Sequence, residues 1–490
     1  MELDPVLLSR IQFAFVVSFH AIFPVFTIGL AAFIAFLESL LYRTGNPIYE
    51  ELSRFWTKVF AVVFGMGVVS GIVMAFQFGT NWSVFSYSAA NFLGPVLSYE
   101  VVTAFFLEAV FLGVLLFGRN KVPRGTHLFA AFMVAIGTFI SSFWILSANS
   151  WMQTPAGVEL QDGIFQMTSW FEAIFNPSFG WRFVHFALAA FLTAGFVVLG
   201  VSAWYLRQGK AGPSSRKALS MTVVLMAIIA PTQLVVGDLH GLDTFEHQPE
   251  KVAAMEGLWE TREGAPLLLF AIPSQERERN FLEFGIPKGA SLILTHELDG
   301  EVKGLKEWDP EDRPHMATVF WSFRVMVGLG LLMILAALTG LVQLLRGRLL
   351  ESKRLLRLYT WMIPAPFIAV LAGWFVTEVG RQPWLVHGIL RVEDGVTPSL
   401  TGGMALFTLI GFVLVYTVVF LAGLYYLTRV IKAGPESFVA EDEDSGVAKR
   451  PLSNVGTSLG DEGLGDEGSG DAAQAGNTQD LPDASKREGN

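Results

Sequence analysis

The 490-residue sequence contains no cysteine. That excludes disulfides, covalently attached c-type haem, iron–sulfur clusters and thiolate-ligated zinc or copper within the chain. Any redox centre must therefore be held by His, Met, Tyr or carboxylate. Charge is scarce too: 16% of residues are Asp, Glu, Lys or Arg, against 52% hydrophobic residues that include 42 Phe and 13 Trp. No single soluble core needs so much apolar surface, and the composition is that of a polytopic membrane protein. The formal charge of −10 says little about that apolar body, because residues 436–490 alone carry 13 acidic and 4 basic residues. This segment is rich in Gly, Ser, Asp and Glu, has few aromatics, and cannot bury enough surface to fold. It reads as a disordered acidic tail, more simply a solvating one than a docking one. The first apolar run also lacks a basic n-region and a small-residue cleavage site, so it reads as a retained helix.

What is present is a series of apolar stretches long enough to span a bilayer. Nine can be marked: Ile11 to Tyr42, Phe55 to Phe78, Phe92 to Gly118, Leu128 to Ala148, Phe183 to Leu206, Ala218 to Gly237, Thr318 to Leu345, Leu358 to Val379 and Gly402 to Leu427. Lys and Arg gather after the odd-numbered stretches, whereas Gly79 to Asn91 and Asn149 to Trp181 carry none. The positive-inside rule then puts the N-terminus in the periplasm and the C-terminus in the cytoplasm of a bacterial inner membrane. The expected fold is all-α and polytopic, with transmembrane helices 1–6 in residues 1–237, a periplasmic loop in 238–317, helices 7–9 in 318–434 and the tail in 435–490.

The run GWFVTEVGRQPW, Gly373 to Trp384, puts Glu378 and Arg381 at the end of an apolar stretch. Ionisable groups at membrane depth are costly and usually functional. Of the eight histidines only His20 and His185 fall inside the stretches, His127 marks an inner boundary, and the others fall in or beside outer connections. Two helix-borne histidines cannot build a haem–copper core or a cytochrome whose haems are held wholly by histidine. The remaining strong ligand types are His20, Glu100, Glu108, His185, Met326 and Glu378, with Arg324 and Arg381 nearby in sequence. All but Glu108 fall in the outer half of the membrane at 1.5 Å per helical residue. Taken singly, a buried His can bond a neighbouring helix, Met326 can be core packing, and the two glutamates can form a relay, a cation site or an ion pair. Clustering at one depth, in a chain with no other redox ligands, favours haem.

LSRIQFAFVVSFH (Leu8 to His20), AFQFGTNW (Ala75 to Trp82), the helix of Glu100 and Glu108, WILSANSWMQTP (Trp144 to Pro155), FVH (Phe183 to His185), FRVM (Phe323 to Met326) and GWFVTEVGRQPW occur in this order. Together they resemble subunit I of the cytochrome bd quinol oxidases, over about Met1 to Gly434. The resemblance implies two b-type haems, one low-spin and one high-spin, and one haem d. His185 and Met326 would be axial ligands of the low-spin haem, with His20 and Glu378 each ligating a high-spin haem and Glu100 beside the first of these. Glu108 and Ser141 match positions of a proton path from the cytoplasm, as does Asp238 at the mouth of the outer loop, and Arg324 and Arg381 would counter haem propionate or other negative charge. The outer loop matches the family's quinol loop, with Lys251 and Glu256 at positions linked to quinol oxidation. Its length, with GDLHG at Gly237 to Gly241, resembles the short-loop branch that includes cyanide-insensitive oxidases.

The implied function is a terminal quinol oxidase: quinol oxidised at the outer surface, and oxygen reduced to water with cytoplasmic protons, which builds a proton motive force. The implied partners are quinol, oxygen, the lipid bilayer, a second membrane subunit and a small single-helix subunit, with no nucleic acid. Two other readings are a haem-bearing, quinone-linked electron-transfer subunit that does not reduce oxygen, and a non-redox transporter using the buried Glu and Arg. Haem spectra without oxygen consumption would mark the first, and absence of haem absorption the second.

Overall fold

A computed structural model describes residues 3–435. The acidic tail expected over 435–490 lies outside the described residues but for its first. The all-α, polytopic expectation holds. Eight helical spans are long and apolar enough to cross a membrane, and a bent helix pair makes a ninth.

Helix starts follow local chemistry. In α1 (Pro5–Thr44), Asp4 caps the first turn by accepting from Val6 N at 2.8 Å, Pro5 pre-sets the helical φ, and Gly45 ends the helix in the left-handed region at φ 65°. Asn46 caps α2 (Pro47–Thr80) in the same way at 3.0 Å. At 40 residues α1 is about 60 Å long, twice a hydrocarbon core, so both its ends stand in the interfaces. The chain continues with α3 (Ala90–Glu100), a π-helical turn (Val101–Phe105) and α4 (Phe106–Phe117), then α5 (Arg124–Gln153) and α6 (Phe179–Arg207). A Cβ on Gly29 would stand 2.1 Å from Ala190 O, so only glycine lets α1 and α6 meet backbone to backbone.

Two spans depart from the expected ends. Helix α7 (Pro213–His247) does not stop at Gly237 but runs through Asp238, His240 and Asp243. Hydropathy falls there because the helix leaves lipid contact, while its backbone bonding continues. The stretch Leu358 to Val379 is not one helix: α11 (Lys353–Trp361) and α12 (Ala365–Val379), labelled after the elements between them, meet at a 41° bend beside Pro364.

Between α7 and the next span lie α8 (Pro249–Glu256), a hairpin of β1 (Leu267–Ser274) and β2 (Arg279–Ile286), and α9 (Gly289–Thr295). Helix α10 (Met316–Leu345) precedes α11, and α13 (Gly402–Ala433) closes the described chain. At the end of the molecule that carries the basic loops, Glu38 of α1 accepts from Ser53 of α2 and from Arg119, and its other oxygen lies 3.1 Å from His127 Nδ1 of α5. His127 Nε2 lies 3.1 Å from Leu115 O. A buried carboxylate is tolerable only with such partners, and this one joins three helices and the α4–α5 connection.

Candidate functional site

The residues selected from the sequence fall into three groups. The first lines a cavity of about 430 Å³ between α6, α7, α8, α10 and α12, within the size range of ligand and cofactor sites. His185 of α6 and Met326 of α10 both face it, as do Lys251, Glu256, Arg324 and Asp238. Its walls leave room for something flat and large beside the two ligand types. A Cβ at Gly237 would stand 3.2 Å from His185 Cε1, and one at Gly373 3.0 Å from Met326 Sδ.

Arg324 is fully engaged. Its Nη2 lies 2.9 Å from Glu256 Oε2, its Nε donates to Leu268 O, and its guanidinium stacks 4.8 Å from the Phe320 ring centre. Of the two expected partners of Arg324, haem propionate or other negative charge, the structure shows a protein carboxylate from the outer segment. Lys251 is buried, with Nζ donating to Gln153 Oε1 at 2.7 Å and Gln248 Oε1 at 2.6 Å. Burial, reinforced by the positive charges of Arg182 and Arg381, holds its amine well below the usual lysine range.

The second group surrounds Glu378. Its Oε1 accepts from Asn149 Nδ2 at 2.8 Å and Gln153 Nε2 at 3.3 Å, and its Oε2 is paired with Arg381. Gln153 therefore holds Glu378 with its NH₂ and Lys251 with its carbonyl, which also fixes the orientation of the amide. Arg381 is 3% exposed, and its Nε and Nη1 have no hydrogen-bond partner among the described residues. Burial lowers its pKa despite the favourable pull of Glu378.

The third group begins at His20. Its Nδ1 lies 2.9 Å from Ser70 Oγ, and that hydroxyl donates its own proton to Gly67 O at 3.0 Å. With the serine proton on that carbonyl, Ser70 accepts from Nδ1, and the tautomer that results leaves the Nε2 lone pair for a metal. Gly71 lies against the ring, where a Cβ would stand 3.0 Å from Cε1. Across α5, Ser141 Oγ donates to Glu100 Oε1 at 2.8 Å, and Glu108 packs on Gly137, where a Cβ would meet Glu108 Cγ at 2.6 Å. Gly137 and Ser141 are one turn apart on α5, so both glutamates face the same strip of it. An ideal α-helix would set them about 80° apart. The intervening π turn rotates less per residue and brings them closer to one face. Ser141 serves Glu100 rather than Glu108, and Asp238 is exposed at the cavity rather than beside either.

The sequence reading missed two residues in the cavity. His240, assigned to an outer connection, stands on α7 with its ring centre 5.4 Å from that of His185 and its Nε2 without a hydrogen-bond partner among the described residues. Arg182 is buried one turn before His185 on α6; its Nε donates to Ser178 Oγ at 3.0 Å, and no carboxylate lies within ion-pair distance among the described residues. The i, i+3 spacing in WRFVH was the available signal for Arg182. A largely apolar cavity that collects His185, Met326 and the guanidinium of Arg182, with Gly237 and Gly373 beside the two ligand types, fits a haem with its anionic propionates.

Residues 8–435 match the family described as cytochrome bd terminal oxidase subunit I. The chain is 36% identical to cytochrome bd ubiquinol oxidase subunit 1 of Bacillus subtilis (strain 168), covering 89% of this chain and 95% of that protein. It is 34% identical to cytochrome bd-II ubiquinol oxidase subunit 1 of Escherichia coli (strain K12), covering 89% and 98%. Its fold is similar to the structure of bd oxidase from Geobacillus thermodenitrificans, with TM-score 0.83, 31% identity, and coverage of 88% and 99%.

Proposed function

The chain belongs to the cytochrome bd terminal oxidase subunit I family, and from that premise we propose how its residues divide the work of a haem-bearing quinol:oxygen oxidoreductase. His185 and Met326 would hold a low-spin b haem; His20 and Glu378 would each hold a high-spin haem, one of b type and one haem d. Bound haem supplies the electron transfer and the iron at which oxygen is reduced. The observation that carries the reading is that His185 and Met326 face the same cavity as Lys251 and Glu256, so electron entry and substrate contact share one space.

In that cavity Glu256, held in place by its ion pair with Arg324, accepts a hydrogen bond from a quinol hydroxyl and orients it. Lys251, whose burial favours the neutral amine, accepts a proton as the quinol is oxidised. Asp238, exposed at the cavity edge, leads that proton to the outer surface. Glu108 and Glu100, aligned along α5 with Ser141 holding Glu100, carry protons from the cytoplasm toward oxygen. Arg381 and the pair Arg182 and His240 would offer hydrogen bonds to the propionates of a bound haem.

The segment 238–317 is the quinol-binding region, on the outer side of the membrane, with the N-terminus on the same side and the basic loops in the cytoplasm. The enzyme is an integral membrane protein whose family works with a second subunit. A small single-helix subunit completes the assembly, covering lipid-exposed faces such as that of α13. Glu256→Gln tests the site. The purified complex should keep its haem absorption and its oxygen uptake from an artificial donor, while quinol-driven uptake falls by about tenfold or more, the loss of one charge-assisted contact. Equal losses with both donors would remove Glu256 from the quinol site.

A further inference from the structure

Outside the spanning helices, the hairpin of β1 and β2 exposes Leu269, Phe270, Ile272, Leu282, Phe284 and Ile286. Leu282 is 74% exposed and Phe284 67%, values at which a water-facing strand would carry polar residues. The residues are contiguous: Phe270 pairs with Phe284 across the ladder and Leu267 with Ile286. Leu292 and Ile293 of the following helix α9 are exposed as well.

The depth of the hairpin follows from its contacts. Phe270 packs edge-on against Trp321 of α10 with ring centres 5.2 Å apart, and Leu268 O accepts from Arg324. Leu268 and Ala271 pack with Phe320 in one buried cluster. Arg324 is eight residues inside α10 from Met316, about 12 Å below the helix start. Strand β1 thus runs alongside a membrane-spanning helix at the level of Trp321, a residue type that collects at the lipid–water boundary. Trp321 and Val325 are themselves exposed on α10, so the patch continues its lipid-facing surface. At the opposite end, Arg277 and Arg279 stand over the Phe281 ring at 5.6 Å and 4.7 Å, apolar stems inward and charges at the turn, where lipid phosphates would lie.

We propose that the β1–β2 hairpin is seated in the outer leaflet, its apolar surface in the acyl–headgroup boundary and its turn among the headgroups. The occupant is lipid. Leu267, Leu269 and Ile293 also line the cavity, so the lipid-seated surface forms its rim, and a lipid-soluble substrate meets this rim before it meets water. That last step rests on the cavity being the quinol site; the lipid seat itself does not.

The absence of cysteine makes the test direct. Leu282→Cys, Phe284→Cys and, at the exposed turn, Glu276→Cys are labelled singly with an environment-sensitive fluorophore. The full complex, with any partner cysteines replaced, is placed in phosphatidylcholine–phosphatidylglycerol vesicles, and intact haem absorption certifies each variant. A nitroxide on the upper acyl chain should quench labels at 282 and 284 several-fold more than at 276, and aqueous iodide should show the reverse order. Iodide reaching 282 and 284 as readily as 276 overturns the proposal. So does exclusion of both quenchers, which would place another protein surface on the patch. Oxygen turnover enters neither readout, so a failed quinol assignment would leave this test intact.

Discussion

Single side chains carry the assignments here through what they can and cannot accept. Met326→Leu conserves volume and removes the thioether, so the chain should fold with its cavity filled while the low-spin absorption is lost and quinol-driven oxygen uptake falls by about tenfold or more; an unchanged low-spin spectrum would free Met326 from the iron. Lys251 tests burial. Its folded pKa is lowered by desolvation, so between that value and the ordinary lysine value the unfolded chain binds more protons, and stability rises with pH across the window. Lys251→Met lacks that increment. The melting temperature of the native complex should therefore gain on that of the variant as the pH rises toward the ordinary lysine value, by calorimetry, and parallel curves would mean the amine is not desolvated. His20 and His185 stood out in the sequence because histidine is rare inside its apolar runs, whereas Met326, one of 14 methionines, drew notice only through its depth beside them. The contact of Ser70 with both His20 and the Gly67 carbonyl was not legible, since it depends on how α1 and α2 pack. Arg182 went unread because an arginine beside an aromatic run looks like an interfacial anchor until its burial is known.

Helices were legible to the extent that lipid contact and helical bonding coincide. Where they part, hydropathy misplaced the end: α7 continues ten residues past Gly237 into a protein-lined space, and His240 was assigned to the wrong environment as a result. The break between α11 and α12 was hidden for the opposite reason, because the apolar run from Leu358 to Val379 continues across Met362 to Pro364. The π turn at Val101–Phe105 leaves no mark in composition, yet it sets the relation between Glu100 and Glu108. Inserting one alanine between Phe106 and Leu107, in the α-helical turn beyond the π turn, should swing Glu108 by about 100° relative to Glu100. Oxygen reduction and haem-linked proton uptake should then fall as they do in Glu108→Gln, with the low-spin spectrum retained as proof of folding. Full turnover in the insertion variant would show that the two carboxylates need not share a face.

Over the whole molecule the described spans enclose two chemistries that must be kept apart: quinol protons leave on one side, and oxygen takes its protons from the other. The amide of Gln153 touches both, holding Lys251 with its carbonyl and Glu378 with its NH₂. A side-chain amide neither gains nor loses a proton in the physiological range. It fixes the spacing of the two sites yet acts as an insulator, a mechanical coupling through which no proton short circuit can run. Gln153→Glu keeps the shape and replaces the insulator with a titrating group. Proteoliposomes of that variant should consume oxygen at nearly the native rate while releasing fewer protons per electron and building a smaller membrane potential, as read by a potential-sensitive dye. Native coupling would locate the barrier elsewhere. With Lys251 serving quinol and Glu378 a haem, as proposed, energy conservation would depend in part on a residue that takes no part in the chemistry on either side of it.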